Sequence, residues 1–131
     1  MTRILVDTSA LITLLDGDDP RHAEARVAFA GVIREELIAH GYIVAETIAV
    51  TRRRFGVDGV RTLLDDLLPL VTIAPVEMEV HAAAQARYRD SLPSGTSFVD
   101  QVSRTYMERV GISTAFALDP DVALPGLTLI P

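Results

Sequence analysis

The sequence predicts an α/β fold built on a parallel sheet with helices on both faces. Three observations carry this expectation. Short apolar runs of strand type alternate with longer stretches of helical spacing, the pattern of a layered fold with crossover helices. Four of these runs are compact and apolar enough to be buried parallel strands. The chain has 131 residues, 49% of them hydrophobic, which suits one domain, 1–131, around one core.

In chain order, Arg3 to Val6 reads as a buried strand ending at Asp7, followed by a short helix from Ser9 to Leu15. Asp16 to Asp19 form a loop. Asp19 is placed as N-cap and Pro20 at the first helical position of a helix over 21–39. Ala25, Phe29, Val32, Ile33 and Leu37 give that stretch its apolar face, and Gly41 is expected to end it. Residues 42–55 form the next helix, broken at Gly56, and 58–68 another. Leu70 to Ile73, bracketed by Pro69 and Pro75, reads as a strand, 76–90 as an amphipathic helix, and Ser91 to Gly95 as a loop. A helix over 97–110 closes at Gly111. Strands at 113–118 and 127–130 finish the chain, with Asp119-Pro120-Asp121 after the first of them.

Composition excludes several chemistries. Cysteine is absent, so there are no disulfides, thiolate metal sites or cysteine nucleophile. All 12 basic residues are arginine, which removes lysine-dependent phosphoryl transfer and Schiff-base chemistry. A receiver-type or phosphatase site, which wants a lysine near the phosphoryl group, is thereby set aside. Tryptophan is absent and aromatics are 5%, which argues against a base-stacking platform. The net charge of −6 is wrong for a protein that grips nucleic acid by broad charge, so a polyanion needs a local arginine patch or a metal ion. No run approaches the roughly 18 apolar residues of a membrane span, and Asp7 interrupts the apolar start before a signal core forms; the expectation is a cytoplasmic protein.

Ligands in parallel sheets sit beyond the carboxyl ends of the strands. There the sequence places Asp7 and Asp119, and helices add Glu46 and Asp100. Each acid alone has an ordinary explanation. Asp7 suits a turn or cap, although Thr8 and Ser9 can also cap and stand beside it. Asp100 completes Ser97-Phe98-Val99-Asp100, a capping-box pattern. Asp119 starts an ordinary turn. Glu46 lies in an apolar helical run, on the face of Tyr42, Ala49, Val50 and Arg53, where a carboxylate needs an arginine partner or a metal. His22, His40 and His81 have no metal spacing and read as surface or satisfied core residues. Several carboxylates meeting at one edge repel unless a cation neutralises them. Oxygen ligands without cysteine or paired histidine select Mg2+ or Mn2+ over zinc, and such a site supports attack of water on a phosphodiester.

Val6-Asp7-Thr8-Ser9, Ala45-Glu46-Thr47, Ser97-Phe98-Val99-Asp100 and Ala117-Leu118-Asp119-Pro120-Asp121, in this order over essentially the whole chain, resemble a PIN domain, and in length the VapC-like toxin ribonucleases. The resemblance implies a three-layer α/β/α sandwich with Asp7, Glu46, Asp100 and Asp119 as catalytic acids holding magnesium. Thr8, Ser9, Ser97 and Asp121 stand behind them. It implies metal-dependent endonuclease action on RNA, a cognate antitoxin partner and a homodimer. One departure is Val122, where the family often has an aromatic. It leaves Asp119 and Asp121 both open as fourth ligand, with Asp119 favoured because it directly follows the strand.

Arg52, Arg53 and Arg54 are the densest positive charge in the chain, one to two helical turns beyond Glu46. They read either as phosphate contacts, with Arg53 facing the site, or as a solvated helix end. The competing functional class is a non-catalytic PIN-like binding module, against which stands the full set of acids.

Overall fold

The computed structural model describes residues 1–118 and 126–131. The strands are β1 (Arg3–Val6), β2 (Glu36–His40), β3 (Thr72–Ala74), β4 (Thr114–Phe116) and β5 (Thr128–Ile130). The helices are α1 (Thr8–Leu15), α2 (His22–Val32), α3 (Gly41–Thr62), α4 (Met78–Asp90) and α5 (Phe98–Val110). All five strands pair in parallel, in the order β3-β2-β1-β4-β5, with Leu5 facing Ile38 on one side and Ala115 on the other. Parallel strands need crossovers, and the helices that supply them cover both faces as an α/β/α sandwich.

The middle of the sheet is apolar on both faces. Ile4, Leu5 and Val6 are buried together, as are Leu37, Ile38 and Ala39, with Ala115 and Phe116 beside them. They join Leu11, Ile43, Leu63 and Met107 from the helices in the main core. A smaller cluster of Val80, Ala84 and Val102 seals α4 to α5, with Tyr42 and Phe98 at its edge.

Two expectations are corrected. The helix expected over 21–39 stops at Val32, and Glu36–His40 is a strand, so the described residues form a sheet of five strands where four were expected. Leu37-Ile38-Ala39 is a short apolar run, and periodicity does not separate such a run from a buried helical turn. Burial between β1 and β3 decides for strand. Gly41, expected as a helix end, is instead the first residue of α3. Smaller shifts follow: β3 begins at Thr72, two residues beyond the expected Leu70, and α2 starts at His22, with Asp19 accepting the Arg21 backbone N–H at 2.7 Å.

The break expected at Gly56 is present as a kink, with φ 70° and ψ −160° inside α3. A side chain there meets no atom, so its penalty is conformational strain alone. The kink folds the chain back so that a Cβ on Gly59 would run into the Cβ of Phe55. Beyond it, Leu63–Leu67 widens into a π turn and Leu68–Leu70 tightens into a 3-10 turn before β3.

His40, fully buried at the end of β2, caps α3. Its Nδ1 accepts the backbone N–H groups of Tyr42 and Ile43 at 3.2 and 3.3 Å. The proton therefore sits on Nε2, which donates to Ser103 Oγ at 2.8 Å and ties α3 to α5. Burial holds this imidazole down, to about 4, so it is neutral in the fold. An unfolded histidine takes a proton near pH 6.5, so His40 gives stability that is intact above that pH and is lost as pH falls toward 4. The linkage is worth about 3 kcal/mol. His40→Asn keeps a capping acceptor without the titration. In urea unfolding it is expected to be less stable than the parent at pH 8, with the gap closing by about 3 kcal/mol on acidification to pH 4. A pH-independent gap would mean that His40 is not held neutral.

Candidate functional site

Strand order reverses at β1: β2 and β3 extend from one side and β4 and β5 from the other. A crevice opens beyond the carboxyl ends at such a switch point. Asp7 is the first residue past β1 and enters it directly. Its backbone N–H donates to the Phe116 carbonyl at 2.9 Å, tying the end of β1 to β4. Its side chain turns back to cap α1, with Oδ2 accepting the Ser9 N–H at 3.1 Å and Ser9 Oγ at 2.7 Å. Ser9 Oγ in turn accepts the Leu118 N–H at 3.0 Å. That hydroxyl thus has one direction only, proton toward Asp7 and lone pair toward β4.

Asp7 is 5% exposed. Burial pushes its carboxyl up to about 6, and Asp100 and Glu46 add repulsion in the same direction, while the two Ser9 bonds oppose them. The capping function expected as an ordinary explanation is therefore real, and it coexists with an electrostatic environment that a cap alone does not require.

Asp100 stands at the third position of α5 in a full capping box. Ser97 Oγ accepts the Asp100 N–H at 3.0 Å, and the Asp100 carboxylate accepts the Ser97 N–H at 3.4 Å. Glu46 is half-buried on α3 and, among the described residues, pairs with no arginine. The next residue, Thr47, donates its Oγ1 hydroxyl to the Ile43 carbonyl and lies 3.1 Å from Thr8 Oγ1, fixing α3 against the start of α1.

These elements enclose a cavity of about 620 Å3. Asp7, Glu46 and Asp100 line it together with Thr8, Ser9, Ser97 and Arg54, so seven of the residues singled out from the sequence converge. Asp119 and Asp121 lie outside the described residues. Arg54, not Arg53, lines the cavity, held by Asp16 at 3.0 Å and lying over the Phe55 ring at 5.0 Å; Arg52 and Arg53 are exposed elsewhere on α3. Asp19, Arg21, Ile12 and Val50 also line it and were not singled out beforehand as site residues. For Arg21 the missing signal is distance along the chain, since it reaches the Leu118 carbonyl 97 residues away.

The three histidines are satisfied structurally: His22 Nδ1 bonds the Thr13 carbonyl and His81 Nδ1 the Tyr42 hydroxyl, besides the buried His40. Among the described residues no three acids or histidines are gathered closely enough to form a ready-made metal cage. The carboxylates facing the cavity are nonetheless oxygen ligands, and Asp100 and Glu46 both raise the proton affinity of Asp7. That is the chemistry of a hard, hydrated cation, which takes one or two carboxylates directly and keeps several waters. No helix among the described residues is long and apolar enough to cross a membrane.

Comparison with known proteins agrees with this architecture. The chain is similar in structure to VapC20 of Mycobacterium tuberculosis, described as a sarcin-ricin loop cleaving toxin, with a TM-score of 0.85 at 25% identity over 95% of this chain and 96% of that one. FitAcB from Neisseria gonorrhoeae gives 0.72 at 18% identity over 98% and 96% of the two chains. DNA-bound VapBC from Salmonella typhimurium gives 0.70 at 11% over 98% and 97%. At these last two identities the likeness is one of fold. No curated protein matches the sequence. The PIN domain family model matches residues 4–124, and the chain belongs to that family.

Proposed function

We propose that this protein is a divalent-cation-dependent endoribonuclease, the toxin of a toxin–antitoxin pair. In this reading Asp7, Glu46, Asp100 and Asp119 hold Mg2+ or Mn2+, Asp121 stands behind Asp119, and the toxin works as a homodimer with a cognate antitoxin. The observation that carries the reading is Asp7: a buried carboxylate at the switch point, raised in pKa by its burial and by two further acids of the same cavity. Similarity to VapC20, to FitAcB and to VapBC supports the toxin and antitoxin part.

The chain's own residues prepare the site. Ser9 fixes the rotamer of Asp7 and leaves Oδ1 turned away from that bond. The capping box orients the Asp100 carboxylate at the start of α5, and the Thr8–Thr47 contact sets the spacing between α1 and the helix carrying Glu46. When bound, a divalent cation supplies charge that lowers the pKa of water and stabilises negative charge developing on a phosphodiester. Ile12 and Val50 give the cavity an apolar wall against which a ribose or base can rest.

Two outcomes test this. Asp7→Asn and Asp100→Asn are expected to lose RNA cleavage about a hundredfold or more, the order at which removal of electrostatic stabilisation shows. Cleavage by the parent should stop with EDTA and return with Mg2+ or Mn2+. A parent protein that binds RNA but never cuts it under any divalent ion would support the non-catalytic binding module instead.

Stability gives the second. Because the folded pKa of Asp7 lies above its unfolded value, its contribution is fully present below about pH 4 and is lost as pH rises through 6. At neutral pH the metal-free parent therefore carries a penalty of about 3 kcal/mol at this residue. Asp7→Asn in EDTA is expected to melt higher than the parent at pH 7.5, with the advantage gone at pH 4. Millimolar Mg2+ or Mn2+ should raise the parent's Tm by mass action and leave the variant's unchanged. A parent that responds to Zn2+ but to neither of these ions would overturn the oxygen-ligand site.

A further inference from the structure

The cavity holds a charge pattern that catalysis by the acids does not explain. Four carboxylates line it, from Asp7, Asp19, Glu46 and Asp100, and they face two guanidiniums, Arg21 and Arg54. The arginines come from separate elements, Arg21 from the entry to α2 and Arg54 from α3.

Both are held with their planes set and with donors still to spare. Arg21 forks onto Glu24, with Nε and Nη2 each at 2.9 Å, while Nη1 donates to the Leu118 carbonyl at 3.0 Å. That uses three of its five N–H groups. Arg54 uses one, toward Asp16, and lies over the Phe55 ring. The Arg21–Glu24 pair is exposed, at 46% and 48% for the two side chains, whereas Arg54, 49% exposed, pairs with an Asp16 that is only 16% exposed. The exposed Arg21–Glu24 pair contributes little stability, so exchanging its carboxylate for another anion costs the fold little. A phosphodiester offers the same two-oxygen face to a guanidinium fork.

We propose that Arg21 and Arg54 form a phosphate clamp at the rim of the acidic cavity, gripping the backbone of an RNA strand on either side of the phosphate presented to the acids, with Glu24 and Asp16 as internal stand-ins for that phosphate. This rests on the ribonuclease reading and adds to it how the strand is held. It accounts for an acidic protein gripping a polyanion: positive charge is confined to two points beside the site. Arg21 also holds the Leu118 carbonyl, so its loss by itself does not separate binding from structure. The acids that hold the two arginines do.

The experiment measures affinity for a labelled, 2′-O-methylated single-stranded RNA, which resists cleavage, across a salt series. Arg21→Ala and Arg54→Ala are each expected to bind about tenfold more weakly, one charge-assisted contact. Each should flatten the salt slope by about 0.7, the value for one phosphate on a single strand. Glu24→Gln and Asp16→Asn free the guanidiniums without removing them and are expected to bind RNA more tightly than the parent, which a purely structural role for these pairs does not produce. Arg21→Lys, keeping charge but not the fork, should fall between parent and alanine variant. The Tm rise with Mg2+ should be unchanged in all five. Parent protein that binds and cuts RNA, with unchanged affinity in Arg21→Ala and Arg54→Ala, overturns the clamp and leaves the ribonuclease reading standing. Parent protein with no affinity for RNA overturns both.

Discussion

Asp7 is buried at the junction of β1 and β4, and the same carboxyl group caps α1, accepts a hydrogen bond from the Ser9 hydroxyl and stands within the field of Asp100 and Glu46. The rest of the site is arranged around making that position tolerable. Two hydrogen bonds from Ser9 favour the charged form, and burial and the neighbouring acids oppose it more strongly. A protein selected for stability alone would place an asparagine or serine here, since either caps a helix as well without the charge. Retaining a carboxylate where it destabilises the fold is the physical mark of a functional group.

The adjacent strand offers a direct contrast. β2 also ends in a titratable residue that caps the helix after it, and His40 too is displaced from its ordinary pKa by burial. Yet His40 has two backbone donors on one nitrogen and Ser103 on the other, so the neutral ring is satisfied within the protein. Asp7 faces a cavity and other acids. The two groups pull stability in opposite directions with pH, because one is a base kept neutral and the other an acid made reluctant to ionise. A shifted pKa thus identifies a site only in company with its surroundings: equal burial gives a structural cap in one strand and a candidate ligand in the next.

Much of this was legible in the chain. β1, α1, α5 and its Gly111 terminus follow from local chemistry, and Gly111 adopts the positive φ its C-cap role requires. The capping box at Ser97 and Asp100 is a purely local pattern and stands as expected. β2 was not legible, because its apolar core is three residues long and only its neighbours in the sheet distinguish it from a helical turn. For the site, Asp7 and Asp100 were singled out at a strand end and a helix start and Glu46 as an acid inside an apolar helical run, and the structure brings the three to one cavity. Which arginine faces them was not found: Arg53 and Arg54 are one residue and about 100° apart on a helix, and the rotation of α3 is set by packing, not by sequence spacing. Arg21 was missed altogether, since a turn residue followed by an acid three positions on reads as a solvated surface pair.

The same packing explains how a chain of net charge −6 can be selective in what it lets near its acids. Screening removes distant charge beyond a Debye length of about 8 Å, so an approaching strand responds to the local pattern, not to the total. At the cavity that pattern is an acidic floor with arginines at its edge. Without a cation the four carboxylates repel phosphate; a divalent ion would cancel half of their charge, since the two guanidiniums are already paired with Glu24 and Asp16. If the proposed ribonuclease reading holds, metal and RNA bind with positive coupling, each relieving the repulsion that opposes the other. The arginines cannot supply this alone, because their partners Glu24 and Asp16 already neutralise them. On the proposed reading, an acidic cavity edged with paired arginines would repel a polyanion until a divalent ion lowered its charge, and the burial of Asp7 keeps that charge from being screened by water.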